Sequence, residues 1–169
     1  SDPAFPPPNT MERKPPRRTR ERILDLSLRL FNDFGEPNVN TTLISEEMNI
    51  SPGNLYYHFK NKDDIINCIF QQFEREIDKL LSVPQDRQAN VEDAWLFLHV
   101  LFELVWKYRF FYRDLNNLLA NNRTLEVKFK QLLAQKVKVA KGLCEGLQQA
   151  GELAASPREI DSLATNMVV

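Results

Sequence analysis

The stretch whose side chains could do chemistry is Pro52-Gly53-Asn54-Leu55-Tyr56-Tyr57-His58-Phe59. A carboxamide such as Asn54 can read a base edge, the tyrosine hydroxyls and His58 can donate to phosphates, and Gly53 lets a backbone approach closely. Leu55 and Phe59 are helically spaced and face inward with Ile44, Met48 and Ile50. Two adjacent aromatics on an eight-residue helix cannot both be core, so Gly53, Asn54, Tyr56, Tyr57 and His58 are distributed on and around an exposed face. Upstream, Arg13, Lys14, Arg17, Arg18, Arg20 and Arg22 put six cations into ten residues, opposed only by Glu21. Such a basic arm suits phosphate; a solvated terminus is the plainer reading. Charge is silent globally, with 22 basic residues against 23 acidic ones and a net of -1.

Other chemistries find little support. His58 and His99 stand apart from any serine or cysteine in a nucleophile motif, and no glycine loop could cradle phosphate. Cys68 and Cys144 form no metal-ligand pattern with the two histidines and no disulfide framework. No catalytic residue, metal or cofactor is therefore expected, and the location expected is a reducing cytoplasm. The most apolar stretch, Ala94 to Trp106, is thirteen residues long, contains His99 and Glu103, and is too short and polar to span a bilayer. Neither a membrane partner nor a signal peptide is expected.

The elements that position these side chains read as helices throughout. Six of ten prolines fall in the first sixteen residues, so residues 1–16 read as a disordered leader or tag remnant. The later prolines 37, 52, 84 and 157 punctuate apolar periods. Ile23, Leu26, Leu30, Phe31 and Phe34 make one stripe, stopped by Gly35. A short helix over Thr42–Met48 has Asn40, Thr41 and Thr42 as competing caps. After a three-residue turn, Ser51 and Pro52 open a second short helix to about Phe59. Asn61–Asp64 turns the chain, and Ile65 to Leu81 forms a long amphipathic helix. Further helices are expected over Val91–Tyr108, Phe110–Asn121 and Thr124–Ala150, with Gly151 as a stop. Ser156-Pro157-Arg158-Glu159 is a capping box that starts one more. The fold class is all-α: an N-terminal three-helix helix-turn-helix DNA-binding domain, then a larger helical ligand-binding and dimerisation bundle. Its boundaries are 17–64 for the first domain, 65–83 for a connecting helix and 84–169 for the second domain.

At this level of detail, Arg20 to Ile66 resembles the DNA-binding region of tetracycline-repressor-like (TetR family) transcriptional regulators. The matching residues are Ile23-Leu24 through Leu30-Phe31, Gly35, Ile44-Ser45 through Asn49-Ile50-Ser51, Gly53 through Phe59, and Lys62. Ser45, Met48 and Asn49 stand where the family usually has Ala, Ala and Gly; Asn49 can still take the left-handed turn conformation. The resemblance implies a homodimer that sets two recognition helices in successive major grooves of a near-palindromic double-stranded operator. It also implies a C-terminal domain whose small-molecule effector, here unknown, changes their separation, usually to relieve repression. The contacts it transfers are Thr41 or Thr42, then Gly53, Asn54, Tyr56, Tyr57 and His58, and Lys62. Asn54 and Tyr57 are the base readers; Arg17, Arg18 and Arg20 go to phosphates or the neighbouring minor groove. Dimers in this family usually form through the last two helices, the second of which is short or absent here, so the bundle is expected to be incomplete. The rival reading is a helical protein-interaction adaptor without DNA binding, because exposed aromatics also mark protein interfaces. The cations at both ends of the tyrosine helix favour DNA.

Trp95, His99, Phe102 and Trp106 recur at four, three and four residues on one helical face. They are expected either to build core or to line an apolar effector pocket with His99 as its polar handle. Gly142 and Gly146, four apart within a helix, suggest either a close approach by another helix or a ligand, or simply glycines tolerated in a helix.

Overall fold

The structure, a computed structural model, describes residues 16–82, 91–149, 151 and 153–168. The leader expected before Pro16, with Arg13 and Lys14, lies outside the described residues, as does the side chain of Arg17. Among the described residues all regular structure is helical, and the chain divides into two compact units between Ile65 and Ile66.

In the first unit, helix α1 spans Pro16–Phe34. Proline at the first helical position lacks only a donor that would have had no partner, so the helix starts inside the basic run. Arg17, Arg18, Arg20 and Arg22 accordingly belong to a helix rather than to an extended arm. Ile23, Leu24, Leu28, Leu30 and Phe31 are buried along α1, while Phe34 is 60% exposed. Phe34 keeps the direction of the stripe, but at the last turn nothing covers it. Gly35 then adopts φ 87°, a conformation open to glycine, and its N–H closes the last turn on Phe31 O at 3.0 Å.

After a 3-10 turn at Glu36–Asn38 comes α2, Thr41–Met48. Asn40 is the residue that caps it: its backbone is extended and its Oδ1 accepts from Leu43 N at 2.8 Å. The buried Ser45 hydroxyl donates to Thr42 O at 2.8 Å, which satisfies the polar atom that alanine would have lacked. Asn49 sits at φ 53° and ends α2 in the left-handed conformation expected of it. Helix α3 covers Pro52–His58, and Ser51 Oγ accepts from Asn54 N at 3.1 Å. Ile44, Met48, Leu55 and Phe59 are buried; Ile50 is only half-buried.

Helix α4, Lys62–Leu81, begins earlier than the expected turn allowed, because Asn61 Oδ1 caps it by accepting from Asp64 N at 2.9 Å. The remaining helices are α5 (Val91–Lys107), α6 (Arg109–Arg113), α7 (Leu115–Asn121), α8 (Arg123–Gln149) and α9 (Pro157–Val168). The single segment expected over Phe110–Asn121 is broken at Asp114. The N–H of Asp114 reaches Phe110 O at 2.9 Å and its carbonyl accepts from Leu118 N at 3.0 Å. A bend that keeps such bonds on both sides leaves no trace in the apolar period.

The core of the second unit is aromatic. Phe70 and Phe111 pack edge to face at 5.5 Å, Phe73 meets Tyr108 at 5.3 Å, and Phe110 lies 4.1 Å from Phe111. Asn122 caps α8 by accepting from Leu125 N at 3.0 Å. Gly151, at φ 75°, follows α8, although Ala150 is outside the described residues. The capping box closes both ways: Ser156 Oγ accepts from Glu159 N at 3.3 Å and Glu159 Oε2 from Ser156 N at 2.7 Å. That backbone donor holds the Glu159 carboxyl below its ordinary range. Helix α9 packs on α8, burying Ile160 and Ala164, with Lys141 paired to Asp161 at 2.7 Å. Among the described residues a methyl group at Gly142 or Gly146 would meet nothing within 4 Å.

Candidate nucleic-acid interface

The side chains of α3 divide by direction. Leu55 is completely buried, and it fixes the helix against the first unit's core. Tyr56 and Tyr57 point outward, the latter 79% exposed, and Gly53 and Asn54 are exposed beside them. Tyr56 is tied back by its hydroxyl, 3.4 Å from Thr41 Oγ1 at the start of α2, which links the two short helices across their turn. Thr41 is half-buried and Thr42 exposed. Tyr57 meets the half-buried His58 edge to face at 5.1 Å. A methyl at Gly53 would find only Ser51 Oγ, at 3.9 Å, so internal packing does not require glycine there.

The cations behave individually. Arg18 is exposed. Arg20, also exposed, lays its guanidinium 4.8 Å over the Phe59 ring, which anchors it beside the C-terminal end of α3. Lys62 is committed internally: Nζ donates to Glu36 O at 3.1 Å and Val39 O at 3.0 Å and pairs with Glu36 Oε1 at 2.6 Å. Three partners match the three protons of an ammonium, so Lys62 has a structural role in this chain. Its partner Glu36 carries no sequence signal; a lone acid between glycine and proline reads as a loop residue.

The four α5 residues expected in a core or pocket are turned to solvent. Trp95, Phe102 and Trp106 are 70%, 68% and 68% exposed, and His99 is exposed and pairs with Glu103 at 3.1 Å. Helical spacing placed them on one face correctly, but it was Leu104 and Tyr108 that turned inward. An open cavity of about 400 Å³ between α4 and α5 is lined by Glu76, Leu80, Val100, Leu104 and Lys107 among others, and by none of the four. Lys107 and the Tyr108 hydroxyl both engage Glu76 Oε1, at 2.6 and 3.1 Å. Among the described residues no His, Cys, Asp and Glu side chains gather as a metal site, and no helix is long and apolar enough to cross a membrane.

A capped pair of short helices joined at a left-handed asparagine, the second presenting polar and phenolic groups outward, is a helix-turn-helix unit. Comparison with known proteins gives its lineage. Residues 23–69 match the family of bacterial regulatory proteins named tetR, and residues 72–169 match a family of bacterial transcriptional repressors of the same name. The chain belongs to the TetR family. A solved TetR-family transcriptional regulator from Marinobacter aquaeolei VT8 is 40% identical, with a TM-score of 0.78, over 88% of this chain and 73% of that one. The fatty acid degradation regulator FadR of Bacillus halodurans shares the fold at 19% identity, with a TM-score of 0.64 over 93% of this chain and 86% of its own. An HTH-type transcriptional regulator of Staphylococcus aureus strain USA300 is 30% identical over 95 residues, which are 54% of this chain and 50% of the relative. The chain thus spans about half the length of the curated relatives it matches.

Proposed function

We propose that the protein is a sequence-specific DNA-binding repressor that acts in the cytoplasm as a homodimer on a near-palindromic operator and is released by a small apolar effector. The observation that carries this reading is the outward placement of Asn54, Tyr56 and Tyr57 on a helix seated by Leu55 and capped by Ser51. Asn54 and Tyr57 read bases in the major groove; Tyr56, His58, and Thr41 or Thr42 contact the backbone. Gly53 admits the phosphates closely. Arg20, steadied on Phe59, reaches the flanking phosphates, with Arg17 and Arg18 further along the same helix. Effector binding is supported by the cavity between α4 and α5, whose Leu80, Val100 and Leu104 walls suit an apolar body and whose Glu76 and Lys107 suit a polar end. Trp95, His99, Phe102 and Trp106 are too exposed to enclose an effector within one chain. The adaptor reading is not favoured, because the tyrosines are accompanied by the anchored guanidinium of Arg20.

Selection of bound duplexes from a random pool tests the proposal. A near-palindromic consensus is expected, with affinity falling steeply as salt is added, because each phosphate contact releases counterions. Recovery of no consensus, or a salt-independent affinity, refutes it. Small molecules that release the selected duplex then identify the effector class.

A further inference from the structure

We infer that the cavity between α4 and α5 takes an apolar monocarboxylate, with its hydrocarbon body against the leucines and its head at Lys79. This names the ligand class of the effector site proposed above and rests on that reading. One face of each helix builds the cavity: Glu76, Lys79 and Leu80 on α4, and Val100, Leu104 and Lys107 on α5, spaced three or four residues apart or adjacent. Glu76 bonds Lys107 and Tyr108, whereas Leu80, one turn further along α4, shares the cavity with Val100, two turns back along α5. The two faces run antiparallel, and their apolar residues gather away from the Glu76–Lys107 pair. Leu96, a further turn back on the same α5 face, is exposed and prolongs the apolar lane to about 12 Å from Leu104. At about 400 Å³ the cavity suits a small ligand.

The charges lining this cavity are not equivalent, and their pairing selects the sign of the ligand. Glu76 Oε1 already holds the Lys107 ammonium at 2.6 Å and the Tyr108 hydroxyl at 3.1 Å, and Glu103 pairs with His99 at 3.1 Å. Lys79 pairs with no carboxylate among the described residues. An arriving cation meets acids that have partners; an arriving carboxylate meets an ammonium that has none. Leu80, Val100 and Leu104 offer no hydrogen bond, so a polar body would lose its water without compensation there. Lys79 is exposed, and a lysine can lay its stem along an apolar wall while its charge stays in water. The carboxylate is thus met at the mouth and stays hydrated, so the ion pair orients and selects the ligand while the hydrocarbon supplies most of the affinity.

Titration calorimetry of the full chain with decanoate, decanol and decylammonium, each below its micellar concentration, tests the assignment. Decanoate should bind once per chain and at least threefold more tightly than either of the others. Lys79→Glu should weaken decanoate about tenfold, strengthen decylammonium and leave decanol unmoved. Val100→Glu, which sets a charge in the apolar wall, should weaken all three. Both positions are exposed, so neither variant removes a core side chain. Equal binding of the three probes, preference for decylammonium, no binding of decanoate, or decanoate binding indifferent to Lys79→Glu overturns the inference. The same titrations are repeated on the chain bound to its selected duplex. Decanoate that binds as expected but does not release the duplex upholds the ligand class and refutes its effector role. Release by another molecule, with decanoate not bound, overturns the ligand class and leaves the effector reading intact.

Discussion

Lys62 and Glu36 are 26 residues apart, yet the ammonium of one closes on the buried carboxylate of the other at 2.6 Å while also bonding the carbonyls of Glu36 and Val39. The first residue of α4 thereby holds the loop that delivers the chain into α2. The helix-turn-helix is braced from behind by this contact.

Removing the ammonium takes one cation from a buried carboxylate and the donor from two backbone carbonyls. Lys62→Met is expected to cost about 3 kcal/mol in urea unfolding, and Glu36→Gln added to it should recover a large part of the loss. Unchanged stability with uniformly weaker duplex binding would instead assign Lys62 to phosphates.

Asn54 and Tyr57 are exposed, so the fold does not depend on their side chains. Asn54→Ala and Tyr57→Ala should each change stability by less than about 0.5 kcal/mol. On selected against random duplexes, Asn54→Ala should lower discrimination by about 1–3 kcal/mol. Equal losses on both kinds of duplex would count against base reading.

Gly53→Ala separates folding from binding. The added methyl has space and a better helix propensity, so stability should rise by up to about 1 kcal/mol. Affinity for the operator should fall about tenfold, equivalent to ~1.4 kcal/mol, if a phosphate occupies that space. A gain in stability with unaltered affinity would remove Gly53 from the interface.

Burial raises the Glu74 carboxyl above its ordinary range; Lys128 lowers it, Asp78 raises it and Lys136 lowers it, each by less. Its Oε1 is buried with no hydrogen-bond partner among the described residues. Between the unfolded value and the raised folded one the native state binds more protons, so the stability contributed by protonated Glu74 is present in acid and lost as pH rises through the folded value. Glu74→Gln should raise the melting temperature at pH 7 relative to wild type, with the advantage shrinking at pH values below the usual carboxylate range. A constant difference across pH would reject the assignment.

Local chemistry was legible along the chain. Gly35, Asn49, Ser51-Pro52 and the Ser156–Glu159 box each act over a few residues through backbone geometry, and such geometry depends on little else. The outward tyrosines were legible because two neighbours on a short helix cannot both find cover. The break at Asp114 and the cap supplied by Asn40, one of three adjacent candidates, were not, since periodicity does not register a bend or choose between equivalent acceptors.

The sequence alone determined the all-α class, the helix-turn-helix and the face that each periodic helix would share, because the 3.6-residue repeat and the caps are local properties. Only tertiary structure decided which of two opposed α5 faces was buried, that Lys62 answers to Glu36, and that Arg20 rests on Phe59. Those outcomes depend on what arrives from residues tens of positions away, and a helix carrying large apolar groups on more than one side does not say which of them its neighbours will cover.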